Sequence, residues 1–298
     1  MQTKRSFFAG LTLASCWLFV SSASLQAGTT IDPVNKYAYG ANTGWMDWSG
    51  GAGETAGGVV IGAYVCSGYI YSANVGWINL GSGSPTNQIY YQNLSANDFG
   101  VNQDGLGNLR GYAYGANIGW INFEETGSPT IDMITGTMSG YVWSANCGWI
   151  SLSNAVACVQ TDTISPGALD SDGSGLPIAW ELQNFGMTGV NPNADPDGDG
   201  ESNYQEYLAG TNPHNGSDYL HITHYTTTPG GTSATLTWTS VLDRYYYIQE
   251  TLNLGPTNWP DNAVGLISSE GTSTSSGITD TDATKRFYRI QAVRPLIP

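Results

Sequence analysis

The chain has 298 residues, room for two or three domains, and sets 24 acidic side chains against nine basic ones, a formal charge of −15. Between Lys36 and Arg244 the one basic residue is Arg110, so nucleic acid and anionic membranes, which need a basic footprint, are disfavoured as partners. Charged residues are only 11% of the chain while Gly, Ser, Thr, Asn and Tyr abound, a balance that suits an extracellular β-protein.

At the N-terminus Lys4 and Arg5 precede an apolar run from Phe7 to Val20 and the small-residue stretch SSASLQAG. Residues 1–27 therefore read as a secretory signal peptide, cleaved after Ala27 or Ala23. LASC offers a second reading, a lipobox that would make Cys16 a lipidated first residue. No later stretch is apolar enough to span a bilayer as a helix, so the mature chain is expected outside the cell or at its surface with no transmembrane span.

From residue 28 to 160 four segments align: KYAYGANTGWMDW, GYIYSANVGWINL, GYAYGANIGWINF and GYVWSANCGWISL. Each alternates with period two on both sides of an Asn/Gly turn, which predicts a β-hairpin. If Gly115 and Gly119 flank a three-residue loop, Tyr114 faces Trp120, Ala113 faces Ile121 and Tyr112 faces Asn122. One face is then aromatic with a polar end and the other is aliphatic, and the same sorting holds in the other copies. The aliphatic face must be core. The aromatic face, with Trp45, Trp77, Trp120 and Trp149, can pack between sheets or form a wet platform for sugar rings. The polar residue two positions after each Trp (Asp47, Asn79, Asn122, Ser151) favours exposure, because burying it unpaired costs about 1–3 kcal/mol. Asn42, Asn74, Asn117 and Asn146 are expected in a left-handed turn conformation, which Asn tolerates. VVIGAYV, IYYQN, DFGV and IDMI add strands. A propeller-like array or a β-sandwich fits this block. Cys147 and Cys158 are either bridged or, for Cys147, a buried free thiol. The block resembles the GYAWSxNxGWI repeats of secreted bacterial proteins.

Residues 161–217 hold the specific chemistry. Asp170, Asp172, Ser174 and Glu181 occupy positions one, three, five and twelve of a frame with Gly175 at six; Asp195, Asp197, Asp199 and Glu206 occupy the same slots with Gly200 at six. That is the calcium loop of an EF-hand, twice, with the carbonyls of Leu176 and Glu201 at position seven. Ca2+ is the expected cofactor. Pro177 and IAWELQNF predict a helix ended by Gly186; Ser202 with Gln205 predicts a capping box for a second, ended by Gly210. The segment resembles the paired loop–helix calcium repeats of dockerins, the repeats of thrombospondin type 3, and most closely the DxDGDGxxxxxE modules of secreted bacterial proteins. The resemblance implies calcium ligation without catalysis.

From residue 218 to 298 LHITHY, ATLTWTS, YYYIQET and RFYRIQAV alternate around a core Trp238, which predicts a small β-sandwich. The block is similar to fibronectin-type-III-like modules. No HExxH, GxSxG or phosphate-binding Gly loop is present. Glu54, Asp98, Glu124 and Asp132 are spare acids that nothing pairs for glycoside hydrolysis. The sequence thus reads as a mainly β, three-part, non-enzymatic calcium-binding protein with a structural or adhesive role. A carbohydrate-binding protein using the aromatic faces is the alternative, with a polysaccharide or cell-surface partner, and a secreted glycan hydrolase comes third.

Overall fold

The computed structural model describes residues 28–51, 57–165, 170, 172–228, 232–255, 259–279, 286–294 and 296. The signal-peptide and lipobox readings, with Lys4, Arg5 and Cys16, and the spare acid Glu54 lie outside the described residues. The described chain is mainly β with two short α-helices. None of its helices is long and apolar enough to cross a membrane.

Each repeat is an antiparallel hairpin: Ile31–Gly40 with Gly44–Asp47, Cys66–Ser72 with Gly76–Ser82, Leu109–Gly115 with Gly119–Asn122, and Tyr141–Ser144 with Gly148–Ser151. Pairing follows the alternation: Tyr114 opposes Trp120, Ala113 opposes Ile121 and Tyr112 opposes Asn122. The other copies repeat this register.

The left-handed position in each turn belongs to glycine and not to asparagine. Gly44, Gly76, Gly119 and Gly148 have φ of 72°, 79°, 70° and 76°, whereas none of the four turn asparagines has a positive φ. Glycine carries no Cβ penalty there, which frees the Asn side chain for another task. Asn74 Nδ2 donates to the Thr43 carbonyl (3.0 Å), Asn117 to Val75 (3.1 Å), Asn146 to Ile118 (3.0 Å) and Asn42 to Cys147 (3.0 Å). Every turn holds the one before it, and the first holds the fourth. Asn117→Ala should therefore cost about 1 kcal/mol, the net worth of one hydrogen bond, read as a fall in urea midpoint at unchanged slope.

That ring sits at one end of a closed sheet. The hairpins join side by side through Asp47↔Tyr71, Asn79↔Tyr114, Asn122↔Trp143 and Ser151↔Tyr39, the last pairing the final hairpin back to the first. Eight strands thus make a barrel-like sheet, in place of the propeller-like or sandwich arrangement expected from the repeats. Its lumen is filled by the aliphatic faces: Ala38, Met46, Trp48, Ile70, Ile78, Leu80, Ala113, Ile121, Phe123, Val142, Ile150 and Leu152 are all buried. Thr43, Val75, Ile118 and Cys147 plug the turn end. Cys66, Cys147 and Cys158 are free thiols; burial pushes the Cys66 thiol up to about 12. Of the runs expected to add strands, VVIGAYV, DFGV and IDMI contribute to strands only through Val60–Ile61, Val101 and Ile131, and IYYQN is a loop. Tyr91 anchors it by turning inward, its hydroxyl donating to the Cys66 carbonyl (3.2 Å) and accepting from the Gly83 N–H (2.5 Å).

The C-terminal block is two three-stranded antiparallel sheets around Leu236, Trp238, Tyr246, Ile248 and Ile278. The strands Ile222–Thr227, Ser233–Thr239, Tyr245–Thr251 and Phe287–Val293 match the four expected runs. Ser273–Thr279 is a further strand, whose Ser/Thr-rich sequence reads as a turn. Two contacts cross the module limits read from sequence. Leu296 is buried in the barrel's core, its carbonyl accepting from the Ile164 N–H (2.6 Å). Ala209 of the second helix belongs to the C-terminal core.

Candidate metal centre and the aromatic outer wall

The two acidic loops each run into a helix, α1 (Ile178–Phe185) and α2 (Asn203–Ala209). Pro177 precedes α1 in extended conformation, and Gly186 ends it at φ 67°. Ser202 and Gln205 form a full capping box on α2, and Gly210 ends it at φ 80°. Leu176, Trp180 and Tyr207 pack the helices together, with the Trp180 and Tyr207 rings 6.0 Å apart. This fixes where Glu181 and Glu206, the last candidate ligand of each frame, stand.

In the second loop the backbone aims the carboxylates. Asp195 accepts from the N–H groups of Gly198 (2.8 Å) and Gly200 (3.0 Å), and Gly200 turns the chain at φ 99°. Asp199 Oδ1 accepts from the Glu201 N–H (2.8 Å). Oxygens of Asp195, Asp197 and Asp199 lie within 4.8 Å of one another. Glu206 is fully buried behind them, and neither of its oxygens has a hydrogen-bond partner; nor do Asp197 Oδ2 and Asp199 Oδ2. Burial pushes the Glu206 carboxyl up to about 7, and repulsion from Asp197, Asp199 and Asp195 adds to it. Burial also raises Glu201, with Asp199 and Asp195 contributing. Three clustered aspartates beside a buried carboxylate with both oxygens orphaned are costly alone and suit a hard divalent cation, which takes six to eight oxygens.

The first loop has the same backbone but a looser centre. Asp170 accepts from Ser174 N–H (2.9 Å) and Gly175 N–H (3.0 Å), with Gly175 at φ 91°. Asp172 accepts from the N–H groups of Ser174 (3.2 Å) and Gly189 (2.6 Å). Glu181 is fully buried; its Oε1 accepts from Val190 N–H (2.8 Å) while Oε2 has no partner. Among the described residues only the second loop draws three carboxylates together. The Leu176 side chain is core, and its carbonyl accepts from Ser174 Oγ (3.3 Å).

The outer wall of the barrel carries the other candidates. Trp45, Trp120 and Trp149 are 47–48% exposed, and Trp77 is half-buried. In the first three hairpins the cross-strand Tyr–Trp pair closes on itself with ring centroids 4.9 Å apart. The polar slot after each Trp has a local cause. Asp47, Asn79 and Asn122 accept from the N–H two residues on, those of Ser49, Gly81 and Glu124, and Ser151 Oγ donates to the Ser153 carbonyl. These are strand-ending turns, so the polar slot itself does not mark a ligand site. Asp98 spends both oxygens on the backbone N–H groups of Thr86 and Gln92, and Asp132 Oδ1 accepts from those of Ile134 and Thr135. No family model, curated protein or solved structure matches the chain.

Sequence reasoning passed over the side-by-side pairing of each polar slot with an aromatic residue of the next hairpin. At three of these seams the facing residue is Tyr (Tyr71, Tyr114, Tyr39); at Asn122 it is Trp143. The signal was available, since GYVWSANCGW is the one repeat with Trp in that position.

Proposed function

We propose that this chain is an exported, non-enzymatic calcium-binding protein with a structural or adhesive role, in which calcium fixes the junction between the barrel and the C-terminal sheets. The observation that carries this is Glu206, a fully buried carboxylate with both oxygens unpartnered behind Asp195, Asp197 and Asp199. An all-oxygen, carboxylate-rich set on a flexible loop favours Ca2+ over zinc, copper or nickel. Asp195, Asp197, Asp199, Glu206 and the Glu201 carbonyl would hold the stronger ion. Asp170, Asp172, Ser174, Glu181 and the Leu176 carbonyl would hold the weaker one. The resemblance of both loop sequences to secreted loop–helix calcium repeats agrees with this reading. Export rests on the Lys4/Arg5 and Phe7–Val20 pattern.

The ion's effect would pass through α2. Arg244 of the C-terminal block caps that helix, donating from Nε to the Leu208 carbonyl (2.6 Å) and from Nη2 to that of Tyr207 (3.0 Å). Arg294 lies 5.6 Å over the Tyr207 ring and donates to its hydroxyl (3.2 Å). Neutralising the charge around Glu206 steadies the helix these arginines grip.

Titration calorimetry on the mature protein should give two calcium ions per chain, with dissociation constants of roughly 0.1–1 mM, as for extracellular modules. Glu206→Gln should abolish the tighter site and Glu181→Gln the weaker one. An absence of calcium heat up to about 10 mM, roughly ten times the weak end of that range, would refute the proposal.

A further inference from the structure

The four seams of the barrel are equivalent by register but not by occupancy. Beside the second seam Phe99 comes in from a loop and lies against Trp120 (5.1 Å, edge-on) and Tyr114 (6.4 Å). The third seam, between Asn122 and Trp143, instead holds a cavity of about 220 Å3 lined by Asn122, Glu124, Thr126, Gly127, Trp143 and Trp149. Trp143 and Trp149 oppose each other across the fourth hairpin. Both are exposed at 42% and 48%. The short helical turn Glu125–Gly127 forms its rim, and Gly127 comes so close that an added Cβ would touch the Tyr141 carbonyl and the Trp149 ring. This lip is a built feature that only glycine permits.

We infer that this cavity is a subsite for one pyranose ring of a neutral polysaccharide, independent of the calcium reading. Size argues for a single ring, since sites for drug-sized ligands span about 300–1,000 Å3. The walls argue for a sugar rather than an aromatic side chain. Two indoles offer apolar surface to the C–H faces of the ring, while Asn122, Glu124 and Thr126 bring donors and acceptors for its hydroxyls. An apolar plug would desolvate those groups without replacing their hydrogen bonds. Glu124 is held in place, its Oε1 accepting from the Gly111 N–H (3.1 Å), and the Asn122 oxygen is taken by the Glu124 N–H, which leaves the Asn122 NH2 to donate outward. Charge narrows the class of sugar: a carboxylate in the wall of a chain of charge −15 repels acidic glycans.

The test uses the full mature chain in saturating calcium, with cellohexaose, xylohexaose and mannohexaose as neutral probes and oligogalacturonate and chitosan hexamer as charged ones. Titration calorimetry and tryptophan fluorescence are read together. At least one neutral hexamer should bind, and Trp143→Tyr, which installs the residue of the other three seams, should weaken it about tenfold or more at an unchanged melting temperature. Tyr225→Ala, an exposed aromatic on the C-terminal sheets outside the cavity lining, should leave that affinity within about twofold, as for a residue outside the contact. Three results would overturn the inference: no neutral hexamer binds, only charged probes bind, or Trp143→Tyr binds as well as wild type. A concentration-dependent dimer that Trp143→Tyr abolishes would also overturn it, by assigning the cavity to a second copy of the chain. Failure here leaves the calcium titration untouched, so the two readings fall separately.

Discussion

Trp48→Ala should destabilise the protein by about 3–5 kcal/mol, the range for a deleted core aromatic, whereas Trp45→Ala, three residues earlier, should cost about 1 kcal/mol or less. The two indoles point to opposite sides of one wall. Trp48 is 1% exposed inside the barrel, 6.3 Å from Phe123, while Trp45 is 47% exposed outside it. Removing Trp48 leaves a void bounded by a closed sheet that cannot collapse onto it. Removing Trp45 only uncovers Tyr37 and Tyr39. Urea denaturation of the two variants decides. Equal losses would mean that the outward aromatics are scaffold too, and the sugar-binding inference would lose its footing.

The second large effect is a crossover in pH and calcium at Glu206. Its carboxyl stands near 7 in the fold against an ordinary 4.5. The folded state therefore holds its proton more tightly than the unfolded chain does. Its contribution is nil below the ordinary value and turns unfavourable as pH rises toward 7. At about 1.36 kcal/mol per pH unit the full cost is about 3 kcal/mol near pH 8. In chelator, Glu206→Gln should be the more stable protein near pH 8 by roughly that amount, with the difference vanishing near pH 4. With calcium at about ten times its dissociation constant, wild type should gain about 1.4 kcal/mol from that site and the variant nothing. Calcium affinity should fall as the pH drops below about 7, because ligation needs the ionised carboxylate. A wild-type protein that outlasts the variant in chelator near pH 8 would contradict this.

The hairpins were legible because their information is local. Period-two alternation sorts Tyr112, Tyr114 and Trp120 from Ala113 and Ile121, and the Gly115–Gly119 interval fixes the register without any distant partner. The two short helices were legible for the same reason, since Pro177 and Gly186 around the first, and the Ser202/Gln205 capping box and Gly210 around the second, lie close together in the chain. Closure was not. It depends on Tyr39 meeting Ser151, a pairing that no periodicity encodes. The Asn ring was hidden by a sound local argument: Asn tolerates a left-handed turn, but a glycine two residues later takes that conformation instead. The polar slot misled in the opposite direction. Asn79 and Asn122 look like ligand groups beside a Trp, and their oxygens are spent ending a strand. Chemistry that reaches across the fold, such as Trp143 beside Asn122, emerges only once the hairpins are laid side by side.

Ile31 pairs with Thr161, the Asp162 N–H donates to the Thr30 carbonyl, and Ile164 is bonded to Leu296. Residues 30, 162 and 296 are therefore gathered at one place, although the barrel and the C-terminal sheets lie between them in sequence. A force that pulls residue 30 away from residue 296 does not stretch those units in series. It first loads this small knot of strand and tail, which must shear before either unit feels tension. A protein under flow or traction would hold its length up to that threshold and then lengthen in steps, a behaviour that single-molecule pulling between these two points would display.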